Sequence, residues 1–246
     1  MPPPRRLAAV LLAAVLASCA ACTDVRSINQ TSADRRTFPL PGAALVVDSA
    51  GADLRLVPGG SDSIAVERSV TGKATAAGNA SWSMTGDTLR LRVKCSGFVP
   101  DCGGLHVVHV PPGTAVRVSN DAPVRAVGPT GALTATVTGS WLTVERPAGP
   151  LRLRASMSVT VTDAASTEVT AASWERAVML TFRRAPQRVE ARATAGAVTI
   201  TLPAGPETYR VACTPGMAAV HSDPSSSRAI TAVAGTSHLA QVRKGA

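Results

Sequence analysis

Beyond residue 40 the chain is written in short stretches of strict alternation between apolar and polar positions. Val116-x-Val118, Leu133-x-Ala135-x-Val137, Leu151-x-Leu153-x-Ala155, Val169-x-Ala171, Val189-x-Ala191-x-Ala193, Tyr209-x-Val211-x-Cys213 and Ile230-x-Ala232-x-Ala234 each predict a strand with one buried face. Their first apolar residues are 17, 18, 18, 20, 20 and 21 positions apart. A second series, Val124, Leu142, Val159, Val178, Val198, Val220 and Leu239, advances by 18, 17, 19, 20, 22 and 19. Two interleaved columns at one period predict a stack of two-strand units, each apolar side chain lying above its equivalent one rung below. The expected fold class is therefore all-β: a β-solenoid, single-stranded β-helix-like, or a β-sandwich-like stack.

Turn chemistry agrees with that reading. Pro58-Gly59-Gly60, Pro111-Pro112-Gly113, Pro147-Ala148-Gly149 and Pro203-Ala204-Gly205 close strands, Pro presetting φ and Gly supplying a permissive position. The run Ala50 to Pro58 matches Ala195 to Pro203 in turn, alternating strand and closing Pro, so Leu45 to Val70 is read as another copy of the unit. The period breaks over 71–104. There Trp82 and Met84, then Leu89, Leu91 and Val93, alternate on either side of Gly86-Asp87, which predicts an inserted hairpin with Arg90 and Arg92 facing outward.

The first 18 residues have a different character. Arg5-Arg6 precedes an apolar run, Leu7 to Leu16, too short to span a bilayer but suited to a signal-peptide core. It ends in Leu16-Ala17-Ser18-Cys19, which resembles the bacterial lipobox. Two readings follow: Cys19 becomes a lipidated N-terminus, or ordinary cleavage at a small residue leaves its thiol unmodified. Residues 19–37 are polar and without apolar period, as expected of a flexible tether able to reach roughly 60 Å, and 38–246 form the repeat domain. Export, with attachment to the outer face of the cell membrane, follows from the lipidated reading.

An oxidising location bears on the cysteines. Cys95 and Cys102 bracket six residues at the end of the insertion, and a disulfide there pins the loop, worth about 2 to 3 kcal/mol on the loop-entropy model. A metal site is the weaker reading of the pair, because C-x-x-C spacing and a second Cys pair are both lacking. Cys213 is expected as a buried free thiol, and the state of Cys22 stays open.

The rung pattern from Leu45 to Ala246, the G-x-L/V-x-V strand starts, the Cys-flanked loop before His106-Val107-Val108-His109-Val110-Pro111-Pro112-Gly113, and the ending from Val189 to Val211 together resemble the bacterial "putative adhesin" family of β-strand repeat proteins. That family usually carries Ser-Gly-Asp-Val at its rung turns, replaced here by Asn120-Asp121-Ala122, Ser156-Met157-Ser158 and Ala195-Gly196-Ala197. The resemblance implies a stacked-strand domain on a cell surface and supplies no catalytic residues.

Composition narrows the chemistry. Aromatic residues are 3% of the chain, which speaks against base-stacking platforms and extended aromatic shelves for sugars. No G-x-S-x-G, H-E-x-x-H or P-loop occurs, and no cofactor or metal signature. His106 and His109, three apart on a strand, project to opposite faces and are both expected as surface residues. His221 and Asp223 lie beside Pro224 in a predicted turn. The carboxylates are dispersed. The expectation is a protein that is not an enzyme.

Charge supplies a candidate site. The formal net charge is +9, with 22 Arg against 3 Lys, and removing residues 1–18 leaves +7. Arg90, Arg92, Arg117, Arg125, Arg152, Arg154, Arg188 and Arg192 fall between inward apolar residues. On neighbouring rungs ~4.8 Å apart they are expected to align into an outward ladder matched to a phosphate-rich polymer. The expected partners are the membrane through the lipid, and an anionic cell-wall polymer, an acidic lipid or an envelope protein; nucleic acid is not expected. A surface adhesin or envelope-binding module is the leading function, and an envelope-stress sensory or regulatory partner of a membrane protein is the alternative. A solvated face that keeps an edge-rich β protein soluble accounts for the same arginines without any ligand.

Overall fold

A computed structural model describes residues 30–60, 63–95 and 101–245. Cys19, Cys22 and the signal segment lie outside the described residues. The strands are β1 (Thr31–Pro39), β2 (Ala44–Ala50), β3 (Asp53–Pro58), β4 (Ser63–Gly72), β5 (Ala80–Thr85), β6 (Thr88–Val93), β7 (Cys102–Val110), β8 (Ala115–Asn120), β9 (Val124–Val127), β10 (Leu133–Val137) and β11 (Leu142–Glu145). They continue with β12 (Leu151–Ala155), β13 (Val159–Ala164), β14 (Glu168–Ser173), β15 (Val178–Phe182), β16 (Arg188–Ala193), β17 (Val198–Leu202), β18 (Arg210–Thr214), β19 (Gly216–Ala218), β20 (Ala229–Val233) and β21 (Ala240–Lys244).

These strands build two mixed sheets. One has eleven strands in the order β1-β4-β7-β3-β9-β11-β13-β15-β17-β21-β19, and the other ten, β18-β20-β16-β14-β12-β10-β8-β2-β6-β5. From β8 to β17 the chain alternates between the sheets, so each rung gives one parallel strand to each. The two apolar columns of the sequence are the direct result. Val124, Leu142, Val159, Val178 and Val198 are lateral partners in the eleven-stranded sheet. Val116, Leu133, Leu151, Val169, Val189 and Ile230 are partners in the other. Every one of these side chains is buried. In-register stacking lays like on like, so Val, Leu and Ala fill the space between the sheets without large rings.

Corners explain residues that the repeat alone does not. A Cβ at Gly149 would lie 2.0 Å from the Gly131 carbonyl oxygen, and one at Gly131 would lie 2.1 Å from that of Thr114, so successive rungs touch backbone to backbone there. At the opposite corner the Asn120 Nδ2 donates to the Ala52 and Ala122 carbonyls, and the Gly51 N–H donates to Asp121 Oδ1 at 2.8 Å. The Asn120-Asp121 turn thereby ties the β8–β9 rung to the β2–β3 rung, which pairs alongside it.

The structure corrects several sequence expectations. Residues 31–37, expected as tether, form most of β1, which pairs antiparallel with β4; its backbone is held by the ladder while only Phe38 is buried, so no apolar period announces it. The last rungs are not in chain order: β20 and β21 thread between the β16–β17 rung and β18–β19, leaving the latter outermost. Leu239 is accordingly exposed in the turn, with Ala240 and Val242 pointing inward, and Val220 lies beyond β19. Cys213, on the outermost named strand of its sheet, is free and half-buried rather than fully buried. His106 is not on the surface but fully buried.

The insertion contains the expected hairpin. β5 and β6 pair antiparallel around Gly86-Asp87, with Leu89, Leu91 and Val93 buried. Cys95 and Cys102 are joined, with Cα atoms 5.7 Å apart, at the start of β7.

Candidate anion-binding face

Alternation along each strand of the ten-stranded sheet sends every second side chain to its outer surface, and parallel register lines those side chains up in rows across the strands. One row runs Val46, Arg117, Thr134, Arg152, Thr170, Glu190, Thr231. The next runs Asp48, Ser119, Thr136, Arg154, Ala172, Arg192, Val233. A third places Glu168, Arg188, Ala229 and Arg210 side by side.

Arginines thus recur on β8, β12 and β16, while β10 and β14 carry Thr or Ala in the first two rows and β14 carries Glu168 in the third. The expected ladder on neighbouring rungs does not form. The arginines sit on alternate rungs, roughly 10 Å apart across two strand spacings, because the intervening repeats have Thr, Ala or Glu at those positions. That distance is comparable to the Debye length at physiological salt, so the like charges repel only weakly.

The eight candidate arginines fall into three environments. Arg117, Arg152, Arg154, Arg188 and Arg192 are exposed on this outer face, and their guanidinium groups make no hydrogen bond or ion pair among the described residues. Arg90 and Arg92, on β6 at the end of the same face, share Asp48, with Nε–Oδ2 and Nη2–Oδ2 separations of 3.9 and 2.5 Å. Arg125 lies on the other sheet, where its guanidinium meets Glu145 at 2.6 Å and its lateral neighbour is Arg55, a residue the alternation argument overlooked. Arg210 was likewise missed, because the strand beginning at Tyr209 was read for its apolar positions only.

Unpartnered guanidiniums on a flat, hydrogen-bonded lattice attract anions and offer planar donors in fixed rows. The opposite outer face differs in chemistry: Thr143, Thr160 and Thr199 stand in its central row beside Arg55 and Arg125, with exposed Met179 among them.

The histidines separate as alternation requires. His109 faces outward, its Nε2 3.2 Å from Glu67 Oε1. His106 faces inward; burial first and the Arg68 guanidinium second push its pKa down to about 4. Asp223 accepts hydrogen bonds from the Ser225 hydroxyl and backbone N–H, and the Ser225 hydroxyl first, then the Thr208 side chain and the Ser225 backbone, hold its carboxyl below the usual range. Among the described residues no group of three or more His, Cys, Asp or Glu is placed to hold a metal ion. A concavity of ≈130 Å³ opens beside Leu56, Pro58, Val110, Pro112 and Leu133 and is lined almost wholly by apolar groups.

No family model matches the chain, and no curated protein matches it. Among solved structures the chain is similar to a protein of Clostridium sporogenes described as a "putative cell adhesion protein", at 8% identity and a TM-score of 0.37, over 88% of this chain and 100% of that one. It is also similar to proteins described as "putative adhesin" from Bacteroides fragilis (10% identity, TM-score 0.36, 87% and 97% covered) and Parabacteroides merdae (11%, 0.39, 88% and 97%). A further similar structure, from Parabacteroides distasonis, is described as a "putative lipid binding protein" (11% identity, TM-score 0.30, 89% and 98% covered).

Proposed function

We propose that this chain is an exported, lipid-anchored, non-catalytic binding module that presents the outer face of its ten-stranded sheet to an anionic polymer of the cell envelope. The observation that carries this reading is the set of five exposed arginines without partners, in register on β8, β12 and β16. Ion pairs with Asp48 and Glu145 occupy Arg90, Arg92 and Arg125, whereas these five are left to a ligand. Glu168 and Glu190 sit among them, so the face selects anions by position rather than as a uniform positive sheet.

The test is retention of the full chain, in detergent micelles, on purified wall polymer and on anionic liposomes across a salt series. An exposed charge contributes about 0.5 kcal/mol to such contacts, so Arg152→Ser with Arg154→Ser is expected to weaken retention roughly 5-fold at low salt and to flatten its salt dependence. Retention that is absent at low salt, or indifferent to both salt and this pair, leaves the arginines as a solvated face. For the anchor, mature protein is expected in the membrane fraction, and Cys19→Ala is expected to release it or leave the unprocessed precursor; a mature N-terminus other than lipidated Cys19, read by intact mass, overturns that part.

A further inference from the structure

On β14 the alternation runs Ala172 outward, Ser173 inward, and Trp174 outward again one residue past the strand. The ladder nevertheless continues through Trp174. Its N–H donates to the Ala155 carbonyl, and its own carbonyl accepts from the Ala195 N–H at 2.9 Å, so the backbone under the indole is held on both sides. The ring itself is 65% exposed. Trp82, by contrast, lies under the Arg68 guanidinium at 4.3 Å, its aromatic face already used.

Register places Arg154 and Arg192 on either side of Ala172, directly beside Trp174 along the strand. Together with Glu190 and Thr170 they line a groove of ≈580 Å³, within the roughly 300 to 1,000 Å³ typical of small-ligand sites. Its floor at Ala172 is a single methyl group, its ends are two unpartnered guanidiniums, and one wall is the exposed indole of Trp174. Trp and Arg around a shallow floor are the residue types that dominate binding energy where they are found together.

Resting on the reading of this sheet as the binding face, we propose that the groove binds an acidic saccharide carrying carboxylates. A sugar ring lies against Trp174, its carboxylate takes the planar donors of Arg154 or Arg192, and its hydroxyls meet Glu190 and Thr170. Glu190 decides between classes of anion. Toward a polyphosphate chain it is only a repulsive charge in the middle of the site, whereas toward a hydroxylated ring it is a strong acceptor. The indole decides in the same direction, since a phosphate chain has no flat apolar face to lay on it. The scarcity of aromatics in the chain argues against a long aromatic shelf and leaves room for a site built on one ring.

The test uses isothermal titration of the full chain in detergent micelles with galacturonic acid oligomers, neutral galactose oligomers and poly(glycerol phosphate), and vesicles containing phosphatidylglycerol. Two variants leave every charge in place: Trp174→Ala removes the wall, and Ala172→Leu fills the floor from an outward position. The acidic oligomer is expected to bind more tightly than the neutral one, and each variant to weaken it roughly 10-fold while leaving retention on poly(glycerol phosphate) within 2-fold. Equal binding of acidic and neutral oligomers, or acidic binding untouched by Trp174→Ala, overturns the site. In that event salt-sensitive retention of poly(glycerol phosphate) that depends on Arg152 and Arg154 preserves the wider reading of the face. Loss of both polymers removes both, and Trp174-dependent vesicle binding without saccharide binding overturns the site in favour of a lipid surface.

Discussion

Leu153→Ala is expected to lower the unfolding free energy by about 3 to 5 kcal/mol, in the upper part of the range for buried Leu truncations. Leu153 is 1% exposed at the centre of β12. Its lateral partners are Ala135 on one side and Ala171 on the other, and the same column continues as Ala191 and Ala232. In this column one long side chain fills space that the neighbouring methyl groups cannot reach. When it is truncated, the flanking alanines have no rotamers with which to fill the void, and the hydrogen-bonded ladders on both sides resist closing it. Leu153→Met, which conserves volume, is expected to cost less than about 1.5 kcal/mol. Urea unfolding of the two variants against the parent checks both values; a loss below about 1 kcal/mol for the Ala variant would mean that the sheets approach each other locally and that the column is softer than its register implies.

The same columns show why this fold was so readable in the sequence. Parallel, in-register stacking converts a spatial neighbour into a residue about 18 to 20 positions away, so Val124, Leu142 and Val159 announce their contact by spacing alone. The hairpin was readable because Gly86-Asp87 sits between two alternating runs. Period carries no information about the order in which rungs are laid down, however, and the insertion of β20 and β21 inside β18 and β19 left no mark on it. Nor does alternation reveal a strand such as β1, which is held by backbone pairing to β4 with little burial. For the candidate site, parity correctly turned the arginines outward. Their division between partnered and unpartnered groups depended on Asp48 and Glu145, residues brought beside them only by folding. Trp174 escaped notice because it stands one residue beyond its alternating run, where a sequence reading sees a turn and the structure has a continued ladder.

His106 and His109 illustrate the limit of parity most sharply: the pattern His-Val-Val-His turns the two rings to opposite faces, both are expected at the surface from sequence, and folding covers the face that carries His106. The structure puts His106 between Leu54 of β3 and Arg68 of β4, with no solvent exposure and no hydrogen-bond partner on either ring nitrogen. The charges facing it are those of Arg68, whose guanidinium is bonded to Asp34 at 2.6 Å and stacked on Trp82, so the cation is fixed in place rather than free to swing away. Burial, reinforced by this cation, takes the His106 pKa from 6.5 to about 4. In the unfolded chain the imidazole takes up its proton first as pH falls, so the stability that the neutral ring contributes is complete above pH 6.5 and is lost progressively down to about pH 4. At 1.36 kcal/mol per pKa unit the loss approaches about 3 kcal/mol, and below pH 4 this group takes no further part. The expected result is a parent protein whose urea midpoint falls steeply between pH 6.5 and pH 4, and a His106→Leu variant in which that component is gone. Carboxylates titrate in both proteins and cancel in the comparison. The variant also removes two buried nitrogens that have no partner, so its stability at pH 7 is expected to be equal to the parent's or higher. Parallel pH profiles for the two proteins would show that the ring is neither buried nor neutral in the way described, and would return His106 to the surface position expected from its sequence.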